Sequence, residues 1–157
     1  VLGPVEVPRR EPPPVSTLDI VHPLEVNLGG KVRLLGYNIQ SGFRPGDNIH
    51  LTLFWQCLEK MDKDYTVFTH LTDAQGRLWG QKDNPPVDGF YPTTGWETGE
   101  IVRDQYDIPI SPDAPTGEYQ IEVGMYLAET GERLPVVDPQ SEQVTNQVLI
   151  GAVKIKP

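Results

Sequence analysis

Residues able to do chemistry are scattered along this chain rather than gathered into a motif. The three histidines, His22, His50 and His70, fall in three separate segments, with neither the H-x-x-x-H nor the H-E-x-x-H spacing that holds a metal from one helix face. No G-x-S-x-G elbow presents a serine nucleophile. The single cysteine, Cys57, allows no internal disulfide and no multi-cysteine zinc site. It falls on the apolar face of an alternating segment, so it reads as a buried, inert thiol. His70, close to Phe68, reads as a hydrogen-bonded structural histidine. Carboxylates are abundant, and Asp83, Asp88, Glu97, Glu100 and Asp104 crowd one region. A glycosidase or esterase reading of that region needs two carboxyls facing each other, at ~5–9.5 Å for a glycosidase, and crowding alone describes a solvated loop. No D-x-[DN]-x-[DN]-G loop is present to hold calcium as an EF-hand does, while a looser site of loop carboxylates and carbonyls stays open. The expectation is a protein that is not an enzyme, with no catalytic residue, metal ligand or cofactor.

The segment with most chemical character is Gln81 to Gly99 (QKDNPPVDGFYPTTGWETG), which lacks strand periodicity. Loops this long inside a domain are functional or disordered more often than not. Its Phe90, Tyr91 and Trp96, with Trp79 just before, argue against disorder. Two readings stand. The rings form a sugar platform over residues 79–99, stacking on C–H faces while Asp83 and Asn84 fix hydroxyls, or they fold down to cap an open end of the core. The first requires at least two rings exposed and roughly coplanar. The second is favoured by composition, because aromatics make up only 8% of the chain and few other large groups are available to close its core.

The elements that must position these residues read as strands. From Asn48 to Leu58, Ile49, Leu51, Leu53, Trp55 and Cys57 share one face while Asn48, His50, Thr52 and Gln56 share the other. A period of two held this long excludes a helix and makes Trp55 a core anchor. Arg44-Pro45-Gly46-Asp47 is the turn that starts it. Tyr119 to Leu127 alternates in the same way. Further strands are expected at Val32–Ile39, Tyr65–Thr72, Arg77–Lys82, Ile101–Ile108 and Val148–Ile155, with a short one near Leu18–Val21 and a hairpin loop at Asp73–Gly76. About eight strands and no helix predict an all-β, immunoglobulin- or fibronectin-III-like antiparallel β-sandwich over residues 18–157. Residues 1–17, with five prolines between Gly3 and Ser16, read as a stiff linker.

A net charge of −9 disfavours nucleic acid and anionic membrane surfaces as partners. No apolar run reaches the ~20 residues needed to cross a bilayer, so direct membrane insertion is not expected.

Pro112 to Val123 (PDAPTGEYQIEV) resembles the penultimate-strand motif of immunoglobulin-like and fibronectin-like bacterial surface modules, in which a tyrosine, here Tyr119, closes a corner. The order of LTLFWQ, YTVFTHLTDAQGRLWGQKD, PPVDGFYPTTGW, GEIVRDQYDIPI, GEYQIEVGMY and TGERLPV, between Leu53 and Pro135, resembles an immunoglobulin-like domain that follows the transmembrane part of large bacterial glycosyltransferase-like membrane proteins. That resemblance implies a non-catalytic, extracytoplasmic accessory domain, tethered to the cell membrane through a parent protein. Its partners are then the rest of that parent or a neighbouring protein. A carbohydrate-binding module is the alternative.

Overall fold

The structure, a computed structural model, describes residues 19–40, 43–137 and 144–157, so the expected linker over 1–17 lies outside it. Among the described residues ten strands follow in order: β1 His22–Leu28, β2 Val32–Ile39, β3 Asn48–Cys57, β4 Thr66–Thr72, β5 Leu78–Asn84, β6 Ile101–Pro109, β7 Gly117–Tyr126, β8 Val136–Val137, β9 Val144–Thr145 and β10 Val148–Ile155. They form a six-stranded sheet ordered β6-β3-β2-β1-β8-β9 and a four-stranded sheet ordered β10-β7-β4-β5, both with antiparallel pairings. The fold is the expected all-β sandwich.

Alternation in β3 produces this packing directly. Ile49, Leu51, Leu53, Trp55 and Cys57 are all buried between the sheets, and Trp55 is fully enclosed. Tyr119, Ile121, Val123 and Met125 of β7 meet them from the other side. The Tyr119 hydroxyl donates to the Pro115 carbonyl, the corner expected of that residue. Gly46 takes φ +87° in the turn before β3, where Asp47 N–H donates to Arg44 O at 3.0 Å.

Three short pieces differ from the sequence expectation. The strand near Leu18–Val21 does not form at Asp19–Val21; the chain instead enters the sheet at His22. Among the described residues, β8 pairs with β1 at Asn27 and Leu28, beyond Pro23, which has no N–H to donate to a ladder. The register also shifts between Pro23 and Val26, which disguises the alternation. β8 and β9 have two residues each and are too short for any periodicity to show.

The two sheets meet closely at one edge. Ser111 N–H donates to Trp79 O at 2.8 Å, and beside this bond a Cβ added at Gly80 of β5 would collide with the backbone oxygen of Pro109, at the end of β6. Only glycine lets the strands approach this far. Gly80→Ala is therefore expected to lower stability by ~1–3 kcal/mol in urea denaturation with an unchanged m-value. A loss below ~0.5 kcal/mol would show that this edge gives way freely.

Candidate functional site

The aromatic segment folds inward. β5 runs on to Asn84, and the connection to β6 contains two single-turn 3-10 helices, Val87–Gly89 and Thr93–Gly95. Trp96 is fully buried, and its indole N–H donates to Tyr91 O at 3.0 Å. Thr93, also fully buried, accepts from Tyr65 N–H at 3.0 Å and donates to Lys63 O at 2.8 Å, stitching the segment to the residues before β4. Tyr91 is half-buried, and its hydroxyl donates to the Glu100 carboxylate at 2.7 Å; burial, then that carboxylate, pushes its pKa up to about 12. Trp79, also half-buried, donates its indole N–H to Asp73 Oδ2 at 2.9 Å in the β4–β5 hairpin.

Of the four rings only Phe90 stands free in solvent, at 87% exposure, and the Tyr91 and Trp96 planes are tilted 48° apart. The pair of exposed coplanar rings that a sugar platform requires is not assembled. Nor do the two expected hydroxyl partners share a site. Asp83 is taken by His70 Nε2 at 3.1 Å and by the Tyr126 hydroxyl at 3.0 Å, whereas Asn84, next along β5, donates to Asp88 Oδ1 at 2.7 Å. Neighbours on a strand project to opposite faces. His70 has the structural role expected of it, and Cys57 is buried with its pKa raised, chiefly by burial.

Sequence reasoning left Asp104 among the crowded acids, but the structure buries it completely on the inner face of β6. Three donors converge on it: Val87 N–H at 2.8 Å to Oδ1, and the Tyr106 hydroxyl at 2.6 Å and Trp55 indole N–H at 3.2 Å to Oδ2. Burial pushes its pKa up to about 6, against the pull of these donors. Both oxygens are occupied and neither opens on a cleft, so a raised carboxyl does not here make a general acid. The turn it holds is strained, with φ +55° at Val87 and +54° at Asp88. A β-branched residue in the left-handed region is an outlier that persists only where its surroundings enforce it.

Asp88, on that turn, joins a second feature that sequence reasoning missed. A concavity of about 720 Å³ opens on the solvent side of the six-stranded sheet and reaches around the β6 edge to Asp88 and to Lys82 of β5. Its floor is a polar row set by strand register, Asn38 opposite Thr52 and Thr52 opposite Gln105, flanked by Arg103 and by a hydrogen-bonded His50–Asp107 pair. Each floor residue belongs to the wet half of an alternating strand. That half looked like ordinary surface because register, not spacing, brings 38, 52 and 105 together. Among the described residues, neither Lys82 nor Arg103 has an acidic partner, so their donors are open to a ligand. Among the described residues, no group of three or more His, Cys, Asp or Glu side chains is placed to hold a metal.

The crystal structure of the C-terminal domain of wzt is similar at 13% identity, with 84% of this chain and 77% of that one covered and a TM-score of 0.49. No family model and no curated protein matches the chain.

Two expectations follow from the loop and from Asp104. Trp96→Ala should cost ~3–5 kcal/mol in chemical denaturation, while Phe90→Ala should stay within ~0.5 kcal/mol of the unmodified protein. For Asp104, the folded chain holds its proton more tightly than the unfolded one. Its contribution is fully present below about pH 4 and is lost as the pH rises through about 6. The rise from 3.8 to about 6 corresponds to ~3 kcal/mol. Denaturation profiles of the wild type and Asp104→Asn should therefore diverge by that order between pH ~4 and ~7.5, the wild type losing ground as pH rises. Parallel profiles would contradict it.

Proposed function

We propose that this protein is a non-catalytic accessory domain, held outside the cell membrane by a larger parent protein, that binds carbohydrate in the polar groove of its six-stranded sheet. The observation that carries the binding assignment is the groove itself. Its volume, about 720 Å³, is in the ~300–1,000 Å³ range of small-ligand sites. Its floor presents the Gln105 amide, the Thr52 hydroxyl and the Arg103 guanidinium, beside an Asn38 amide that is itself held by the chain before β1, accepting from Val21 N–H at 2.6 Å and donating to Asp19 O at 2.5 Å. Side chains of this kind offer paired donors and acceptors to vicinal hydroxyls. The extracytoplasmic placement and the membrane-anchored parent are supported by the resemblance in motif order between Leu53 and Pro135 to domains that follow bacterial glycosyltransferase-like membrane segments. The non-catalytic assignment is supported by the setting of the histidine–carboxylate pairs. His50–Asp107 lies exposed on a sheet surface, and His70–Asp83 is closed off by Tyr126. Among the described residues, neither histidine hydrogen-bonds a serine, threonine or cysteine side chain.

Titration of the domain with glucose, mannose and galactose hexasaccharides, followed by amide NMR, tests this reading. Signals of Asn38, Thr52, Arg103 and Gln105 should move together for at least one sugar. Arg103→Ala and Gln105→Ala should each weaken its binding by ~5–100-fold. Phe90→Ala should leave affinity unchanged. Shifts confined to residues 79–99 would return the site to the aromatic segment, and no response to any sugar would remove the carbohydrate assignment.

A further inference from the structure

We infer that Asp104 is a positioning residue for this groove: from inside the sandwich its carboxylate holds the left-handed Val87–Gly89 turn that sets Asp88 into the groove wall. The inference rests on the groove reading for its functional meaning, but the geometry stands by itself. Asp88 lines the groove and is reached from Asn84 at 2.7 Å. Its backbone and those of its two neighbours all have positive φ, at +55°, +54° and +81° for Val87, Asp88 and Gly89. Glycine takes that conformation freely; valine does not. Something must compensate, and Asp104 Oδ1 accepts the Val87 N–H at 2.8 Å from a site with no solvent exposure. The other oxygen is fixed by Trp55 and Tyr106, so the carboxylate cannot swing after the turn.

A hydrogen bond to an ionised carboxylate is roughly twice as strong as one to a neutral carboxyl. Protonating Asp104 therefore weakens its hold on Val87, and the turn becomes free to leave its strained conformation. The groups that face Asp104 divide: the Tyr106, Trp55 and Val87 donors favour its ionised form, and Asp88 disfavours it. Tyr106, from the same strand, donates to it and is itself held far from ionising by burial and by Asp104. Trp55, from β3, is a neutral donor. Asp88, from the turn, is a like charge that favours protonation of Asp104, and Asp83 of β5 adds a further negative charge near Tyr106. The groove wall is then set at neutral pH and loosened in acid, with the change centred on the titration of Asp104 at about 6.

The test needs no ligand. In an NMR pH titration of the intact domain, the Asp104 carboxyl carbon and the Val87, Asp88 and Gly89 amides should move with one shared midpoint near 6. In Asp104→Asn the amide transition should vanish, and the Asp88 and Gly89 signals should sit near their acid positions at every pH. Adding Val87→Gly to Asp104→Asn should return them toward the neutral positions, because the turn then forms without help; a merely structural role for Asp104 predicts no such rescue. Pointless movement elsewhere is separated by Val87→Gly alone, which should keep the neutral positions across the whole range. Wild-type amides unmoved between about pH 4.5 and 7.5, or an identical transition in Asp104→Asn, would overturn the inference. With the hexasaccharide panel, affinity should fall at least tenfold from about pH 7.5 to 5 in the wild type and stay level in Val87→Gly. An amide transition that appears as described without any sugar binding would remove the carbohydrate reading and leave the assignment of Asp104 to the turn intact.

Discussion

A carboxylate without access to water has to find all of its hydrogen bonds within the protein, because an unpaired buried charge costs several kcal/mol. Asp104 finds them in three places at once: Trp55 in the core, Tyr106 on its own strand, and the backbone of Val87 in the loop that follows β5. Through these bonds the central strand, an edge strand and an irregular connection become one unit. Trp55 can lie fully enclosed because its indole N–H has a partner. The Val87–Gly89 turn can hold positive φ at two non-glycine residues because its leading N–H is anchored. The junction of the two sheets near Gly80 completes the arrangement by bringing β5 against the end of β6.

The same constraint divides the two surfaces that compete as ligand sites. The aromatic segment has surrendered its rings to the interior. Trp96 and Tyr91 bond to backbone and carboxylate, Thr93 is sewn to the residues before β4, and what remains outside is a single phenylalanine. Burying a ring the size of tryptophan removes 150–250 Å² from water, a larger gain than one exposed stacking face offers in the absence of ligand. The solvent face of the six-stranded sheet faces no such demand. Among the described residues, Thr52, Arg103 and Gln105 have no side-chain hydrogen-bond partner and keep their donors and acceptors free, which is the condition a recognition surface requires. The concavity exists because β5 and its turn rise beside the β6 edge and supply a wall of Lys82 and Asp88 to an otherwise open sheet.

Much of this architecture was written locally. The period of two in β3 and β7 is imposed by the backbone itself, since successive side chains must project to opposite faces, and so the strands, the inward direction of Trp55 and Cys57, the turn at Gly46 and the corner at Tyr119 were all legible residue by residue. Local signals failed where a strand was too short for a period to show, as in β8 and β9, or where proline and a shift of register interrupted it, as in β1. The chain alone also determined that Trp79, Phe90, Tyr91 and Trp96 belong to one segment, and that a ring-rich segment in an aromatic-poor protein has reason to serve the core.

Which way those rings turned, and where a ligand surface lies, only the tertiary structure decided. Asn38, Thr52 and Gln105 are 14 and 53 residues apart in the chain and become neighbours through the register of β2 with β3 and of β3 with β6. A slip of one residue in either pairing would turn every side chain of the slipped strand to the other face and erase the row. Asp104 is indistinguishable in sequence from the acids around it, because burial is a property of the packed sheets and not of the residue. The sequence therefore determined which faces of the strands are wet and which are dry; long-range pairing determined which wet residues meet, and which single acid was left in the dry interior to hold the turn at the groove's edge.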